Sequence, residues 1–573
     1  MSENSAPAPG HSRVAARIGW TAGVLVAVLI ALVFGVTTAS ARLSFGPHEA
    51  QYDVTTDAEI TLDLGPLGAL ELDSPLPLGL GARVTVQEIP ENVDALDDID
   101  TLQQLSDDAA SYLQFFTGPQ ATIEDAARAL VVDALRRAAL ALLVIGAVVL
   151  AARSLLGRPR RTELASGVRR NYGTVLSVTA TVLVFALALT VSTVRERRAQ
   201  AQATPVSTVF DDTPLEGARV TGRLGGIINT YGGLLVDAYR ENEDFYAEAD
   251  DALVAAWQEW SATAEAEADP SDEPTALDDG EQVEATAGAT PTVTASGEPS
   301  PSTSEDAEPI TLLLISDLHC NVGMAPLITS MVELSGAQIV LDAGDTTMNG
   351  TSVEQYCVTT FARAIPSGVD LITAPGNHDS SDTTAQYARA GATVLDGGVI
   401  DVRGIRILGD RDPKATRLII EQQQDESYSA VGRRLSEVAC EDPDGVDLVL
   451  FHNPRAVTTM LADGCVPALL SGHMHTRTDP EQVEQGIRYI SSSTAGAQEN
   501  EPRIGPLRGT AEMTLLRFDP QTRSILDWQL IEIGTDASAT VHDRTAWPQI
   551  EDLPEDDEDD DAPAPSASPS AAE

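Results

Sequence analysis

Residues 310–319 read ITLLLISDLH, and residues 466–475 read VPALLSGHMH. In each, a short apolar run ends in a cluster of polar residues that can hold metal or move protons. A run of four to eight apolar residues bounded by turn signals reads as a buried strand. The same grammar recurs between them. Gln338–Leu341 leads into Ala343-Gly344-Asp345, and Asp370–Thr373 leads into Pro375-Gly376-Asn377-His378-Asp379. Val446–Phe451 leads into His452-Asn453-Pro454. Further strands are expected at Ile405–Gly409, Arg488–Ser491, Glu512–Phe518 and Ile525–Ile533. Strands alternating with longer mixed segments predict an α/β domain over 309–535. Loops at the carboxyl ends of its strands would build a site.

The histidines single out those loops. The chain has eight, and five of them (His319, His378, His452, His473 and His475) lie in the strand-end blocks. Each block alone has a bland reading, as a turn or a core histidine. Five in order, each after a strand, do not. Carboxylate, amide oxygen and neutral imidazole are the donors expected around Mn, Fe or Zn. Two such ions can activate a water and neutralise phosphoryl oxygens.

The series Asp-x-His, Gly-Asp, Gly-Asn-His-Asp, His and Gly-His-x-His resembles the calcineurin-like metallophosphoesterase superfamily over roughly 309–535. The resemblance implies a four-layer β-sandwich flanked by helices and a phosphate-ester substrate, either monoester or diester. It implies two divalent ions, with Asp317, His319 and His475 around one. Asn377, His452 and His473 would hold the other, and Asp345 would bridge them. It also implies attack by a metal-bridging hydroxide. His378 would act at the leaving group, and Asp379 would orient His378.

The four cysteines, Cys320, Cys357, Cys440 and Cys465, all fall in this domain. An even number in an outward-facing domain suggests two disulfides. Pairing Cys320 with Cys357 and Cys440 with Cys465 is favoured, because each pair brackets neighbouring motif loops. Four reduced thiols is the alternative.

Upstream, three apolar runs suggest transmembrane helices at 18–40, 138–156 and 172–194. The first carries no charge from Ile18 to Ala39. Its length favours an anchor over a signal peptide, for which Ala39-Ser40-Ala41 would be the cleavage site. The second has a shorter apolar core, which a buried helix would also explain. The loop 157–171 holds five arginines and one acid, Glu163. That composition marks it as cytoplasmic, with 1–17 on the same side and the phosphoesterase domain extracytoplasmic. Arg136, Arg137, Arg195, Arg197 and Arg198 weigh the other way, so a cytoplasmic active site is the alternative.

Residues 41–137 are expected to form a small extracytoplasmic α+β region. Its strands would lie within Ile60–Asp73 and Ala82–Ile89, and its helices at Thr101–Phe116 and Ile123–Leu135. Residues 195–262 read as a helical stalk. Residues 263–308 have too few large apolar residues to fold and read as a disordered linker. The acidic, Pro/Ala/Ser-rich segment 536–573 reads as a disordered tail. The formal charge is −51, with Lys414 the one lysine. Such a surface repels nucleic-acid backbones, so no bulk nucleic-acid binding is expected. A non-catalytic membrane sensor or scaffold is the remaining alternative, and protein partners are not legible.

Overall fold

In the computed structural model, the described residues are 11–45, 48–87, 119–157, 159–160, 206–211, 215–268, 308–351, 354–417, 420–423, 426–498 and 506–551. The expected helix Thr101–Phe116, the basic loop beyond 160, the run 172–194, most of the linker and the end of the tail lie outside them.

Helix α1 (His11–Thr37) is followed by strands β1 (Ser40–Phe45), β2 (His48–Thr55), β3 (Glu59–Asp63), β4 (Ala69–Asp73) and β5 (Gly81–Val86). Helix α2 spans Pro119–Leu155. A short strand, β6 (Arg219–Val220), then completes a six-stranded sheet of order β1-β2-β5-β3-β4-β6. The sheet buries Ala50, Tyr52 and Val84 against Ala126 of α2. Gly35 of α1 lies against Ala134 and Ala138 of α2, and the Ser40 N–H donates to Asp133 at 2.9 Å.

One expectation is corrected here. The helix read at Ile123–Leu135 and the apolar run read at 138–156 are one continuous helix, because Arg136 and Arg137 interrupt the apolar pattern without breaking the backbone. Among the described residues, one helix (Ile123–Leu155) is long and apolar enough to cross a membrane; of the three crossings expected, the run 172–194 lies outside those residues. The apolar part of α1, Gly23–Thr37, is shorter.

Helix α3 (Leu224–Ala268) is 45 residues long. It is not a free stalk. Tyr246, Ala249, Leu253 and Trp257 recur at helical spacing and enter the core of the following domain. Glu241, Glu243, Asp244, Glu248 and Asp251 of the same helix are exposed.

The following elements are β7 (Ile310–Ile315), α4 (Met324–Ser335), β8 (Ile339–Asp342), α5 (Gln355–Ala364), β9 (Asp370–Thr373) and α6 (Ser381–Ala390). After them come β10 (Thr393–Val394), β11 (Val399–Val402), β12 (Ile405–Leu408), β13 (Lys414–Arg417), β14 (Ile420–Gln423) and α7 (Tyr428–Glu441). The chain continues through β15 (Leu448–Leu450), α8 (Pro454–Val457), β16 (Ala468–Ser471), β17 (Thr478–Val483) and β18 (Gly486–Ile490). It ends in β19 (Ala511–Asp519), β20 (Ser524–Ile533), β21 (Ala539–Val541) and β22 (Thr545–Ala546).

One sheet runs β10-β9-β8-β7-β19-β20-β21, with β22 also on β20, and the other runs β11-β12-β15-β16-β18-β17. Leu312, Leu314, Ile339 and Leu341 of the first meet Ile405, Ile407, Leu448 and Leu450 of the second. Helices α3 to α6 cover the outer face of the first sheet, and α7 and α8 that of the second. These are the expected four layers. Strands such as β7 are apolar but for one residue, Thr311, because both faces are covered. β21, β22 and the buried Trp547 carry the domain beyond 535, into what was read as tail. β13 and β14 pair only with each other among the described residues.

β7, β8 and β9 are mutually parallel, as are β15 and β16. Their carboxyl ends therefore deliver all five blocks to one edge of the sandwich. Both favoured disulfides, Cys320–Cys357 and Cys440–Cys465, are present.

Candidate metal centre

Two clusters of potential ligands form at that edge. Asp317, His319 and His475 make one, and Asp345, His452 and His473 the other. Within each, the donor atoms lie within 4.8 Å of one another. In the first cluster, Nε2 of His319 and Nε2 of His475 are 3.0 Å apart. Oδ1 of Asp317 lies 3.3 Å from the latter and 3.8 Å from the former. In the second, Nε2 of His452 has Oδ2 of Asp345, Oδ1 of Asn377 and Nδ1 of His473 each at 3.1 Å. The structure thus brings together all seven residues expected to hold metal.

The two aspartates divide their oxygens in the same way. Oδ2 of Asp317 accepts the His473 N–H at 2.9 Å and the Ser316 hydroxyl at 2.6 Å, leaving Oδ1 toward the imidazoles. Oδ1 of Asp345 accepts the His378 N–H at 2.8 Å, leaving Oδ2 toward His452. Each carboxylate therefore ties its own loop to another block and still presents a free edge.

The backbone around these atoms is held in an uncommon conformation. Asp317, His319, Cys320, Asp345, His473 and His475 all have φ between 42° and 70°. Such a conformation costs a non-glycine residue of order 1–3 kcal/mol and persists only where the surroundings enforce it. Gly472 is part of that enforcement. A Cβ there would come within 1.8 Å of the Ser316 hydroxyl, so no side chain fits where the loops after β7 and β16 cross.

The donor chemistry fits a cation. Nδ1 of His452 faces the Ala343 carbonyl at 2.7 Å, so that nitrogen carries a hydrogen and Nε2 is the one turned toward the cluster. One proton on Nε2 could not serve three electron-pair donors at once. Burial works against a charged His452, but Asp345 outweighs it and pushes the imidazole up to about 10. Burial also opposes ionisation of Asp345. His452 and then His378 nevertheless hold its carboxyl well below the usual carboxylate range. Burial, then His452, pushes His473 down to about 4. The carboxylates thus hold positive charge at the centre of the pocket, and a divalent ion taking the place of the His452 Nε2 proton would meet carboxylate oxygens and imidazole nitrogens, the ligand set of a divalent transition ion.

His378 and Asp379 occupy different places. The His378 ring stands edge-on to that of His319, with centroids 5.2 Å apart, and its Nδ1 lies 2.5 Å from the Met348 carbonyl. Asp379 was expected to orient that ring. Its carboxylate instead accepts the backbone N–H groups of Asp345 and Gly376 at 2.9 Å and of Thr347 at 3.2 Å. The tight Gly-Asp loop leaves those donors without strand partners, and Asp379 satisfies them. Burial, then Asp345, pushes its own carboxyl up to about 7.

Several supporting residues carry no motif. Thr416 accepts the Asn377 side-chain N–H at 2.8 Å. The Ser493 hydroxyl donates to the Asp317 carbonyl at 2.7 Å. Glu354 accepts the N–H groups of Met348 at 2.9 Å and Thr351 at 2.8 Å, ordering the loop whose carbonyl meets His378. Asp412 is buried, its carboxyl pushed up to about 6 by burial against the opposing pull of His452. The second Gly-Asp, Gly409-Asp410 after β12, was the one available sign of that region.

Residues 310–477 match the family model described as calcineurin-like phosphoesterase. No curated protein matches. Similar solved structures include one described as a novel archaeal phosphodiesterase, at 11% identity and a TM-score of 0.24, covering 39% of this chain and 99% of that one. A 5'-nucleotidase precursor from Thermus thermophilus is 14% identical with a TM-score of 0.27, covering 41% of this chain and 54% of its own. A structure described as a novel phosphatase from Mycoplasma pneumoniae is 12% identical with a TM-score of 0.28, covering 39% of this chain and 94% of its own.

Proposed function

We propose that this chain is a membrane-anchored, metal-dependent phosphoesterase whose dinuclear centre lies outside the cytoplasm. The observation that carries the hydrolase reading is the pair of ligand clusters at one edge of the sandwich, inside the segment that matches the phosphoesterase family.

Asp317, His319 and His475 would hold one divalent ion. Asn377, His452 and His473 would hold the other, with Asp345 shared between them. When bound, the ions would supply positive charge for the phosphoryl oxygens and the means of ionising a water near neutral pH. The protein's share is orientation and proton transfer. Asp379 and the Asp345–His378 contact fix the two central loops. With Nδ1 of His378 on the Met348 carbonyl, Nε2 is the nitrogen left to act. In its imidazolium form, with a hydrogen on each nitrogen, it would pass the Nε2 proton to the leaving-group oxygen as the P–O bond breaks.

Anchoring is supported by α1 and α2, which pack together yet leave Leu29, Ile30, Leu140, Leu143 and Leu150 exposed. Sidedness is supported by connectivity. Asp133 of α2 meets Ser40 at the foot of the N-terminal sheet, and Leu155 lies about 33 Å beyond it at 1.5 Å per residue. Val206 is back at that sheet, bridged to Arg219. The apolar run 172–194 has the length for such a return. On the sheet's side, Asp125 of α2 pairs with Arg363 of the phosphoesterase domain at 2.6 Å. The arginine-rich loop and the two disulfides favour the sheet and the phosphoesterase domain on the outer side.

The test is turnover by the purified full-length protein in detergent, loaded with Mn²⁺, on chromogenic phosphomonoesters and phosphodiesters. Hydrolysis of either class that is lost in Asp345→Asn supports the reading. No turnover with Mn²⁺, Fe²⁺ or Zn²⁺ would sink it.

A further inference from the structure

We infer that Tyr246 of α3 is a positioning residue for the Asp317–His319 loop, so that the helix joining the membrane region to the enzyme is part of its metal site. The inference rests on the dinuclear reading above and extends it to a segment outside the family match.

Tyr246 is 5% exposed, and its hydroxyl lies 2.9 Å from Oδ1 and 2.7 Å from Nδ2 of Asn321. Asn321 is itself buried, and its Nδ2 also reaches the Ala495 carbonyl at 3.4 Å. It stands two residues after His319, in a turn closed by its own N–H to the Leu318 carbonyl at 2.8 Å. Three residues of this short segment, Asp317, His319 and Cys320, carry positive φ. Strained backbone of this kind is kept only by restraints from outside the turn.

The neighbouring loops supply some, such as the Ser493 hydroxyl on the Asp317 carbonyl, and two more come from helices outside them. On one side, Cys320 is bonded to Cys357 of α5. On the other is the Tyr246 ring, against which Gly323 sits so closely that a Cβ would come within 2.2 Å of it. The ring fills the core, and the hydroxyl fixes the amide of Asn321. Removing the hydroxyl alone would leave the core packing in place and strip the Asn321 amide of a buried partner. The turn could then relax, carrying His319 away from His475. Trp257, three turns along the same helix, shares the same core and provides the control.

The experiment compares full-length wild type, Tyr246→Phe, Asn321→Ala, the double variant and Trp257→Phe in detergent. Mn²⁺ binding is measured by calorimetry, and kcat and KM at saturating Mn²⁺. We expect Tyr246→Phe to weaken Mn²⁺ binding about five-fold at one site, the scale of one buried hydrogen bond. Turnover should recover at saturating Mn²⁺. The double variant should bind no more weakly than Asn321→Ala, since both remove one interaction. Trp257→Phe should bind Mn²⁺ as wild type does. Wild-type affinity in Tyr246→Phe, or an equal loss in Trp257→Phe, overturns the inference. A wild-type protein that binds no Mn²⁺ overturns the dinuclear reading and this inference with it, a result distinct from either.

Discussion

Thr416 holds Asn377 by its amide nitrogen, Nδ2 to Oγ1 at 2.8 Å, and thereby turns the amide oxygen to within 3.1 Å of Nε2 of His452. The Thr416 N–H also donates to the Asn377 carbonyl at 2.6 Å. A hairpin outside both main sheets therefore decides which end of the Asn377 amide faces the second cluster. Thr416→Val keeps the shape and removes the acceptor. It should weaken metal binding at the Asn377 site by roughly 10-fold, the low end for a lost supporting partner, while Thr416→Ser should not. Calorimetric titration with Mn²⁺ checks both, and equal affinities for the two variants would remove Thr416 from the site.

Asp345→Asn keeps the volume and one oxygen but loses the charge shared by the two clusters. Turnover should fall at least about 10²-fold, as when a group stabilising the transition state is lost. Both disulfides should survive, as read by mass under non-reducing conditions. Near-normal turnover with full metal occupancy would show that the centre does not use this carboxylate.

His378→Ala should depend on the leaving group. A general acid contributes roughly 10²–10⁴-fold where the departing oxygen needs a proton. An alkyl phosphate ester should suffer far more than a nitrophenyl ester, whose oxygen leaves as a stable anion. An equal loss on both substrates would instead assign His378 to charge stabilisation.

The Cys440–Cys465 bond ties the end of α7 to the segment before β16, across a separation of 25 residues. Closing a loop of that size is worth about 3 kcal/mol in the chain-entropy account. Replacing both cysteines with serine should lower the melting temperature by several degrees and leave KM unchanged, because neither sulfur approaches the clusters. A loss of activity at constant stability would point to a route into the site through β16.

EDTA should abolish turnover, and Mn²⁺, Fe²⁺ or Zn²⁺ should restore it to different extents. Reconstitution against metal concentration reads the stoichiometry. A single equivalent that gives full activity would contradict a dinuclear centre.

The blocks at 317–319, 344–345, 376–379, 452 and 472–475 were legible because strand-end chemistry survives in short sequence windows. So were the strands that deliver them, since buried parallel strands are short apolar runs. Thr416 was not legible, because it meets Asn377 only through a 39-residue excursion with no motif. Tyr246 was hidden differently. Its stripe with Ala249, Leu253 and Trp257 is present in the sequence, but nothing in the segment says what that stripe packs against, so it read only as a helical stalk. Asp379 was assigned to its neighbour His378, yet local adjacency proved weaker than the demand of the Gly-Asp loop for an acceptor. The helix boundary at 137 failed because two arginines look like an end and a continuous backbone tolerates them.

The N-terminal sheet is closed by residues made long after its other strands. β5 ends at Val86, and the strand that borders β4 begins only at Arg219. Until then β4 has an open edge. Asp73 and Glu59 also lack the guanidinium that pairs with them at 3.2 Å and 3.5 Å. Burial, then Glu71, raises the Glu59 carboxyl, and Arg219 is the cation that opposes this. Biosynthesis therefore has an order built into it. The N-terminal sheet can close only once everything encoded between Val86 and Arg219 has been synthesised. A chain stalled before that point would carry a sheet with one unpaired edge, a template for pairing with another chain.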